Sequence, residues 1–366
     1  MKKSLLALAL LGVFASAAQA QSAITIYGSI DGGLRNQTNV NAAGDSRLTF
    51  GSGTYNSNRL GFKGTEELTN GLKANFVLES GFNVGTGALD TAPTTTTNAA
   101  GVSTTSASTL FNRSAWLGLQ GGFGEVNVGR QYGVAFKTIA DYDPFNYKFT
   151  GVIPASTLAS GMGVGSIGGT GVGNGRLDND LQYTGTFGPV KVRAEYALGE
   201  IAGSATQNAK QGLGVSFANG PIKLGAAYSA RKTNRGTATV VDYKDFKSYT
   251  LGGSYTMGAL RGAVGFVSQS QDATVNEGKD KFGWGGLSYK VSDAAEITGA
   301  YYRTQSTAVL TGADGRKELY IVGATYAFSK RTNLYADLDY TRLNGFYKVG
   351  TKTTQTGVSV GINHLF

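Results

Sequence analysis

The chain has 366 residues, a formal net charge of +9 and no cysteine. Without cysteine there is neither a disulfide scaffold nor thiolate chemistry. The single histidine, His364, cannot alone supply a histidine-based triad or a His-rich metal site. The basic residues are dispersed rather than gathered in one block, which argues against a nucleic-acid arm. Glycine is abundant at 55 and proline scarce at 5. That balance suits twisted strands and tight turns, not a proline-rich linker. The 19 tyrosines and 18 phenylalanines suit interfacial girdles or any β-rich core.

Residues 1–20 read as a secretory signal peptide. Lys2 and Lys3 precede an apolar run from Leu5 to Phe14, and Ala18-Gln19-Ala20 is a small-x-small cleavage site. No later run approaches the roughly 20 apolar residues of a transmembrane helix. Residues 21–366 form one domain, because no linker-like break follows. Alternation then recurs almost to the end. In Val190–Leu198, Val190, Val192, Ala194, Tyr196 and Leu198 fall on one face and Lys191, Arg193 and Glu195 on the other, a strand signal. The pattern predicts strands at 23–35, 57–66, 72–84, 110–121, 125–133, 176–187, 190–199, 210–218, 221–231, 245–256, 259–269, 280–290, 294–305, 317–328, 332–343 and 355–366.

Short turns alternate with long polar connections at 36–46, 85–109, 134–175, 200–209, 232–244, 270–279, 306–316 and 344–354. A soluble sandwich would turn the polar face of each strand to water. A secretory signal, strands of about ten residues and alternating turn lengths favour an all-β transmembrane antiparallel barrel of about 16 strands, apolar face outward. Two strands sort poorly. Arg113 shares parity with Leu117 and Leu119, and glycines around Trp284 blur both faces.

Little points to catalysis, and no cofactor or metal is expected. His364 sits two residues from the end of the last strand. Asp178/Asp180 and Asp337/Asp339 are spaced i, i+2 and share a face; a glycosidase pair is conceivable, but a solvated wall is the simpler reading. The glycine-rich stretch 160–175 lacks the Lys-Ser/Thr end of a phosphate-cradling loop and reads as flexible loop. Residues 91–109 are Thr/Ser/Ala-rich and read as an exposed loop.

Several segments carry a resemblance. Val358, Val360, Ile362 and His364 alternate toward a terminal Phe366, which resembles the closing strand of bacterial outer-membrane barrels. Ile24–Asp31 is similar to the opening strand of trimeric general porins. Asn58–Leu68, Phe111–Leu119 and Gly129-Arg130-Gln131-Tyr132-Gly133 resemble that family's second strand and first turn, its fourth strand, and the start of its third loop. The likeness covers essentially all of the chain after the signal and looks closest to porins of β-proteobacteria. It implies a homotrimer of sixteen-stranded barrels with the third loop folded into the lumen as a constriction. It places Arg59, Arg113 and Arg176 on one side of that constriction. Parity separately supports Arg59, opposite Leu60 and Phe62, and Arg176, opposite Leu177 and Leu181. The opposing acids are expected from Asp141-Tyr142-Asp143-Pro144-Phe145, hence Asp141 and Asp143, with Glu79 a further candidate.

The expected function is passive diffusion of small hydrophilic solutes and ions across the cell outer membrane, with anion preference from lumen-facing Lys63, Lys191, Arg193, Lys223, Arg231 and Arg261. Expected partners are outer-membrane lipid and lipopolysaccharide and the barrel assembly machinery; nucleic acid is not among them. A substrate-selective channel for a sugar or one anion stays open, with Tyr27, Tyr302 and Tyr335 as scattered stacking candidates. A barrel enzyme is disfavoured by the lone His364, and a surface adhesin would use the polar loops.

Overall fold

The computed structural model describes residues 24–90, 94–97, 103–106, 109–149, 175–235, 243–273, 277–308 and 311–366. The expected signal segment and nearly all of the glycine-rich stretch lie outside the described residues. Strands β1 (Thr25–Gln37), β2 (Arg47–Ser52), β3 (Arg59–Glu67) and β4 (Lys73–Gly81) come first. Strands β5 (Thr94–Thr97) and β6 (Ser103–Ser106) pair only with each other, in the long connection after β4. Then follow β7 (Ser114–Gly121), β8 (Gly124–Tyr132), β9 (Arg176–Phe187), β10 (Val190–Ala197), β11 (Lys210–Asn219) and β12 (Ile222–Arg235). The last are β13 (Tyr243–Met257), β14 (Leu260–Ala273), β15 (Gly278–Lys290), β16 (Ala295–Thr307), β17 (Asp314–Ala327), β18 (Thr332–Gly345) and β19 (Thr354–Leu365).

Seventeen of these strands make one antiparallel sheet. Strands β2 and β3 share one place beside β1, one pairing its upper half and the other its lower, so the sheet has sixteen positions. It closes where β1 pairs with β19, from Ser29 opposite Leu365 to Gln37 opposite Gly357. The terminal residue takes part, since Gly28 and Phe366 exchange backbone hydrogen bonds of 3.0 and 3.2 Å. Closure joins the two ends of the sheet, so that neither end is left as an open edge in the bilayer core. Tight turns hold one end. Between β13 and β14 only Gly258 and Ala259 intervene, and the positive φ of Gly258 (57°) is one that glycine adopts without strain.

Side chains sort inside out. Leu213, Leu251, Val264, Leu287, Leu338 and Val360 are exposed on the outer face, while Asp180, Ser229, Gln269, Thr304 and Asp339 are buried on the inner one. A charge turned to mid-bilayer lipid would cost about 2–4 kcal/mol for Lys or Arg, so the polar faces belong inside. The blurred strand resolves the same way. Trp284 points inward and is buried, and its glycine neighbours Gly283 and Gly285 take the outer face.

The second sheet position is broken, which the alternation did not foresee. After β2 the chain leaves the wall at Gly53 (φ 69°) and dips inward over residues 53–58. Thr54, Asn56 and Asn58 are buried there. The side-chain amide oxygen of Asn58 accepts from the Asp31 N–H at 2.5 Å, and Asp31 Oδ1 accepts from the Tyr55 N–H at 3.1 Å.

Among the described residues, a buried apolar cluster lies inside the barrel. The third long loop, beginning at residue 133, turns inward through the short helix α1 (Val134–Ile139) and a single 3₁₀ turn, Ala140–Tyr142. Ile139, Tyr142, Phe145 and Phe149 of the loop pack on Val267, Phe282, Trp284, Tyr302, Leu319, Ile321 and Tyr335 of the wall.

Candidate functional site

The loop is held to one half of the wall by three kinds of contact. The first is a lane of small residues. A Cβ placed on Gly214, Gly225, Gly252, Gly286 or Gly323 would stand 2.5–2.9 Å from Thr138, Tyr142, Ile139, Pro144 or Phe145. These glycines sit on β11, β12, β13, β15 and β17 and let the loop backbone lie against the sheet. The second is polar. The Val134 N–H donates to Glu195 Oε2 at 2.6 Å, which satisfies a free amide at the start of α1. Trp284 Nε1–H donates to the Tyr142 carbonyl at 2.9 Å, and the Arg261 guanidinium donates to the Asp141 carbonyl at 2.6 Å. The third is aromatic. Phe149 meets Tyr55 edge-on at 5.1 Å, and Tyr55 stacks on Tyr335 at 5.0 Å. The inward dip at 53–58 therefore receives the far end of the loop, and Tyr55 O accepts from the Phe149 N–H at 2.9 Å.

The other half of the wall carries a run of arginines. Arg59 opens β3 and Arg176 opens β9. Arg113 precedes β7, and its backbone N–H donates to Glu79 O at 3.1 Å. Glu79 on β4 is the acid among them. Its carboxylate lies 2.6 Å from Arg113 Nε and 3.9 Å from Arg59 Nε, and it accepts from Tyr27 OH at 3.0 Å. Tyr132 OH accepts from Arg113 at 2.9 Å and from Arg176 at 2.5 Å, and the Arg176 guanidinium lies 4.4 Å over the Tyr132 ring. Tyr132 stacks on Phe136 of α1 at 4.4 Å, which joins the arginine wall to the loop. Asp90, just beyond β4, adds negative potential at Arg113 and Arg176; burial pushes its carboxyl up, and the two arginines pull it back.

Within electrostatic reach of Arg59 and Arg113 the loop presents Lys148. Its Nζ donates to Asn56 Oδ1 at 2.8 Å and lies 5.4 Å over the Tyr55 ring. Asn56 is itself fixed, donating to Ser29 Oγ at 2.8 Å and to Asn363 Oδ1 at 3.2 Å. Burial lowers the Lys148 ammonium to about 8; the positive charges of Arg59 and Arg113 push the same way, and Asp31 opposes them.

The two loop acids diverge. Asp141 is exposed, and its charge acts on Arg193 of β10. Asp143 is buried under the loop, accepting from Tyr302 OH and, at 2.6 Å, from the Tyr147 N–H. Burial pushes Asp143 up to about 6, with those two donors pulling it down. Its carboxylate does not face the lumen.

A family model described as Gram-negative porin matches residues 7–345. The chain is 31% identical to outer membrane porin protein 32 of Delftia acidovorans, with all of both chains covered. It is 27% identical to the major outer membrane protein P.IB of Neisseria meningitidis serogroup B, again over the full length of both. The chain belongs to the Gram-negative porin family. Among solved structures, the anion-selective porin from Comamonas acidovorans aligns with TM-score 0.74 and 25% identity, covering 94% of this chain and 100% of that one. OmpF of Salmonella typhi shares the fold, with TM-score 0.63 at 16% identity and 95% of this chain covered. The protein is thus an outer-membrane β-barrel channel, and its family and relatives are porins rather than enzymes.

The porin brings Arg59, Arg113 and Arg176 together and places Glu79 among them, on the arginine side and not on the opposing side for which the sequence made it a candidate. It separates Asp141 and Asp143, which a shared acidic segment does not reveal. It also adds Lys148, Tyr132 and Asp90, which no periodicity marks. Arg113 lies inward although its parity is outward, because regular alternation begins only at Ser114; Asn112, Arg113 and Ser114 are all buried in succession. Two of the three stacking candidates are withdrawn from the lumen, since Tyr302 and Tyr335 are buried beneath the loop. Arg261 is likewise engaged, binding loop carbonyls.

Proposed function

We propose that this porin is a general diffusion channel for small hydrophilic solutes with a preference for anions, and that its constriction lies between Arg59, Arg113 and Arg176 on one side and Lys148 of the third loop on the other. The observation that carries the reading is the sign of the facing groups. The loop side near the arginines offers a lysine, and Glu79 is already held by Arg113 at 2.6 Å. Asp141 contributes its charge farther along the loop, toward Arg193. A narrow path lined by cations raises the local concentration of anions and repels cations. The anion selectivity of the Comamonas porin supports the same sign. The reading extends to export through residues 1–20, assembly by the barrel machinery and a homotrimer standing in a lipopolysaccharide-containing leaflet. The test is the zero-current potential of purified protein in a planar bilayer under a KCl gradient. A potential directed toward chloride supports it; one directed toward potassium transfers control to Asp141, Asp90 and the outer loops and sinks the anion preference.

A further inference from the structure

The seam between β1 and β19 must close in one register. An alternating strand resists a shift of one residue, which would turn its outward side chains inward, but a shift of two leaves both faces sorted. Strand β19 is of this kind. Val358, Val360 and Ile362 are exposed outward, and Gly357, Ser359, Gly361 and Asn363 take the inner face. Pairing with β1 sets Leu34 opposite Val360. A shift of two would set Leu34 opposite Val358 or Ile362, which are as apolar, so the outer face does not discriminate.

The inner face does. Tyr335 of β18 reaches across β19, and its hydroxyl donates to Asp31 Oδ1 of β1 at 3.1 Å. On the way it passes Gly361, which pairs with Tyr335 on one side and with Gly33 on the other. A Cβ on Gly361 or on Gly33 would overlap the Tyr335 hydroxyl oxygen. That oxygen therefore fills the space which a side chain at position 33 would need. The inward neighbours of Gly33 along β1 are Asp31 and Arg35, two residues away on either side. A shift of two brings one or the other of them against the tyrosine hydroxyl.

Arg35 makes a second bridge, in the opposite sense. From β1 it crosses β19 at Gly357, where a Cβ would overlap the guanidinium. It donates to Ser359 Oγ at 2.9 Å and lies 2.7 and 3.5 Å from the carboxylates of Asp339 and Asp337 on β18. All three charged groups are buried. A shift of two pulls the guanidinium away from this pair of acids, and a buried ion parted from its partner is costly.

We propose that Tyr335 and Arg35 form a register key for barrel closure. The tyrosine excludes the two-residue slips that the outer face of β19 would accept, and the arginine rewards the one register that remains. The glycines at 33, 357 and 361 are the slots in which the key turns. This role lies outside the ion path and holds whichever ion the channel prefers.

The chain has no cysteine, so introduced pairs report register directly. Opposed Cβ atoms in a sheet stand about 5 Å apart and diagonal ones about 7–8 Å. A disulfide needs about 4 Å, so the opposed pair is the one that cross-links. In the whole refolded porin, Leu34→Cys with Val360→Cys reports the native register. Leu34→Cys with Val358→Cys, or with Ile362→Cys, reports the slips. Each pair is built in the parent chain and in the double variant Arg35→Gln, Tyr335→Ala, with closed barrels recognised by heat-modifiable gel mobility. The parent is expected to cross-link in the native pair alone. The double variant is expected to lose part of that product and to gain a slipped one within closed barrels. Closed double-variant barrels that cross-link only in the native pair overturn the proposal. A double variant that closes in no register overturns it as well, since the contacts would then carry stability rather than register. So do slipped products in Tyr302→Ala, which weakens the loop's bed away from the seam, because lost stability alone would then suffice.

Discussion

Changing Lys148 to Gln removes the one cation that the third loop sets against the arginine wall. For an ion passing at about 6 Å, a unit charge is worth about 0.7 kcal/mol even at the dielectric of water. It acts with opposite sign on chloride and potassium, so its removal shifts their permeability ratio by about 1.4 kcal/mol, about tenfold. The same charge is titratable. With the ammonium lowered to about 8, the side chain is largely charged at pH 6 and largely neutral at pH 9.5. Arg59, Arg113 and Arg176 stay charged across that window. Wild type should therefore remain chloride-preferring throughout but lose up to about tenfold in ratio between pH 6 and pH 9.5. Lys148→Gln should show the lower ratio at every pH, and Lys148→Arg the higher one. Lys137 of α1, also lowered to about 8 by burial, has its Nζ on Gln131 and Gln182; Lys148→Arg keeps it and so isolates its contribution. The assay is the zero-current potential in a KCl gradient across this pH range. A wild-type ratio that does not move, or a Lys148→Gln channel matching wild type at pH 6, refutes the placement of Lys148 in the ion path.

Glu79→Gln should raise chloride preference, because Arg113 loses the carboxylate 2.6 Å away; a fall in preference in single-channel recordings would show that Glu79 does not offset the arginines. Asp143 gives the loop its own pH dependence. Its folded pKa, about 6, lies above the unfolded value near 3.8, so the docked loop is favoured by protonation. Its stabilisation is full below about pH 4 and is lost as pH rises through 6, with a cost of about 3 kcal/mol above that. Open-channel current noise should accordingly grow between pH 4 and pH 7, and Tyr302→Phe should raise it further at pH 7 by removing a donor to the carboxylate. Noise independent of both would remove Asp143 as an anchor. Gly252→Val should displace the loop, since a Cβ there already meets Tyr142 and Ile139 at 2.6 and 2.8 Å. The expected readout is faster proteolysis within 133–149 with the barrel's heat-modifiable gel mobility retained, and unchanged cleavage would mean that the loop does not rest on this lane.

The wall was legible in the sequence because its rule is local. A strand with one face to lipid and one to water alternates with period two, and short turns announce themselves through glycine and asparagine. The predicted strand at 259–269 and the observed Leu260–Ala273 differ mainly where β14 runs on into the long connection. What stayed hidden depends on contacts between distant residues. Tyr147-Lys148-Phe149 has no periodic signature, and Lys148 acquires its position from Asn56, which departs from the wall only because residues 53–58 leave it. Asp141 and Asp143 look equivalent as a spaced pair, yet the turn between Ala140 and Tyr142 sends one out and buries the other. The abundance of glycine reads as turns and twist, whereas five of those glycines seat the third loop.

The loop's apolar seat also shapes how the chain must fold. Where the loop docks, the wall is apolar on both faces, as in Leu319-Tyr320-Ile321-Val322, with Leu319 and Ile321 buried against the loop and Tyr320 and Val322 exposed outward. Until the sheet closes and the loop is seated, this run is a short, uncharged, proline-free segment of high β-propensity, the composition that pairs with copies of itself. Lys317 and Glu318 before it and Gly323 after it are the nearest breaks. Before the sheet closes and the loop is seated, β17 is therefore a segment open to such pairing, one that a holding chaperone would have reason to cover.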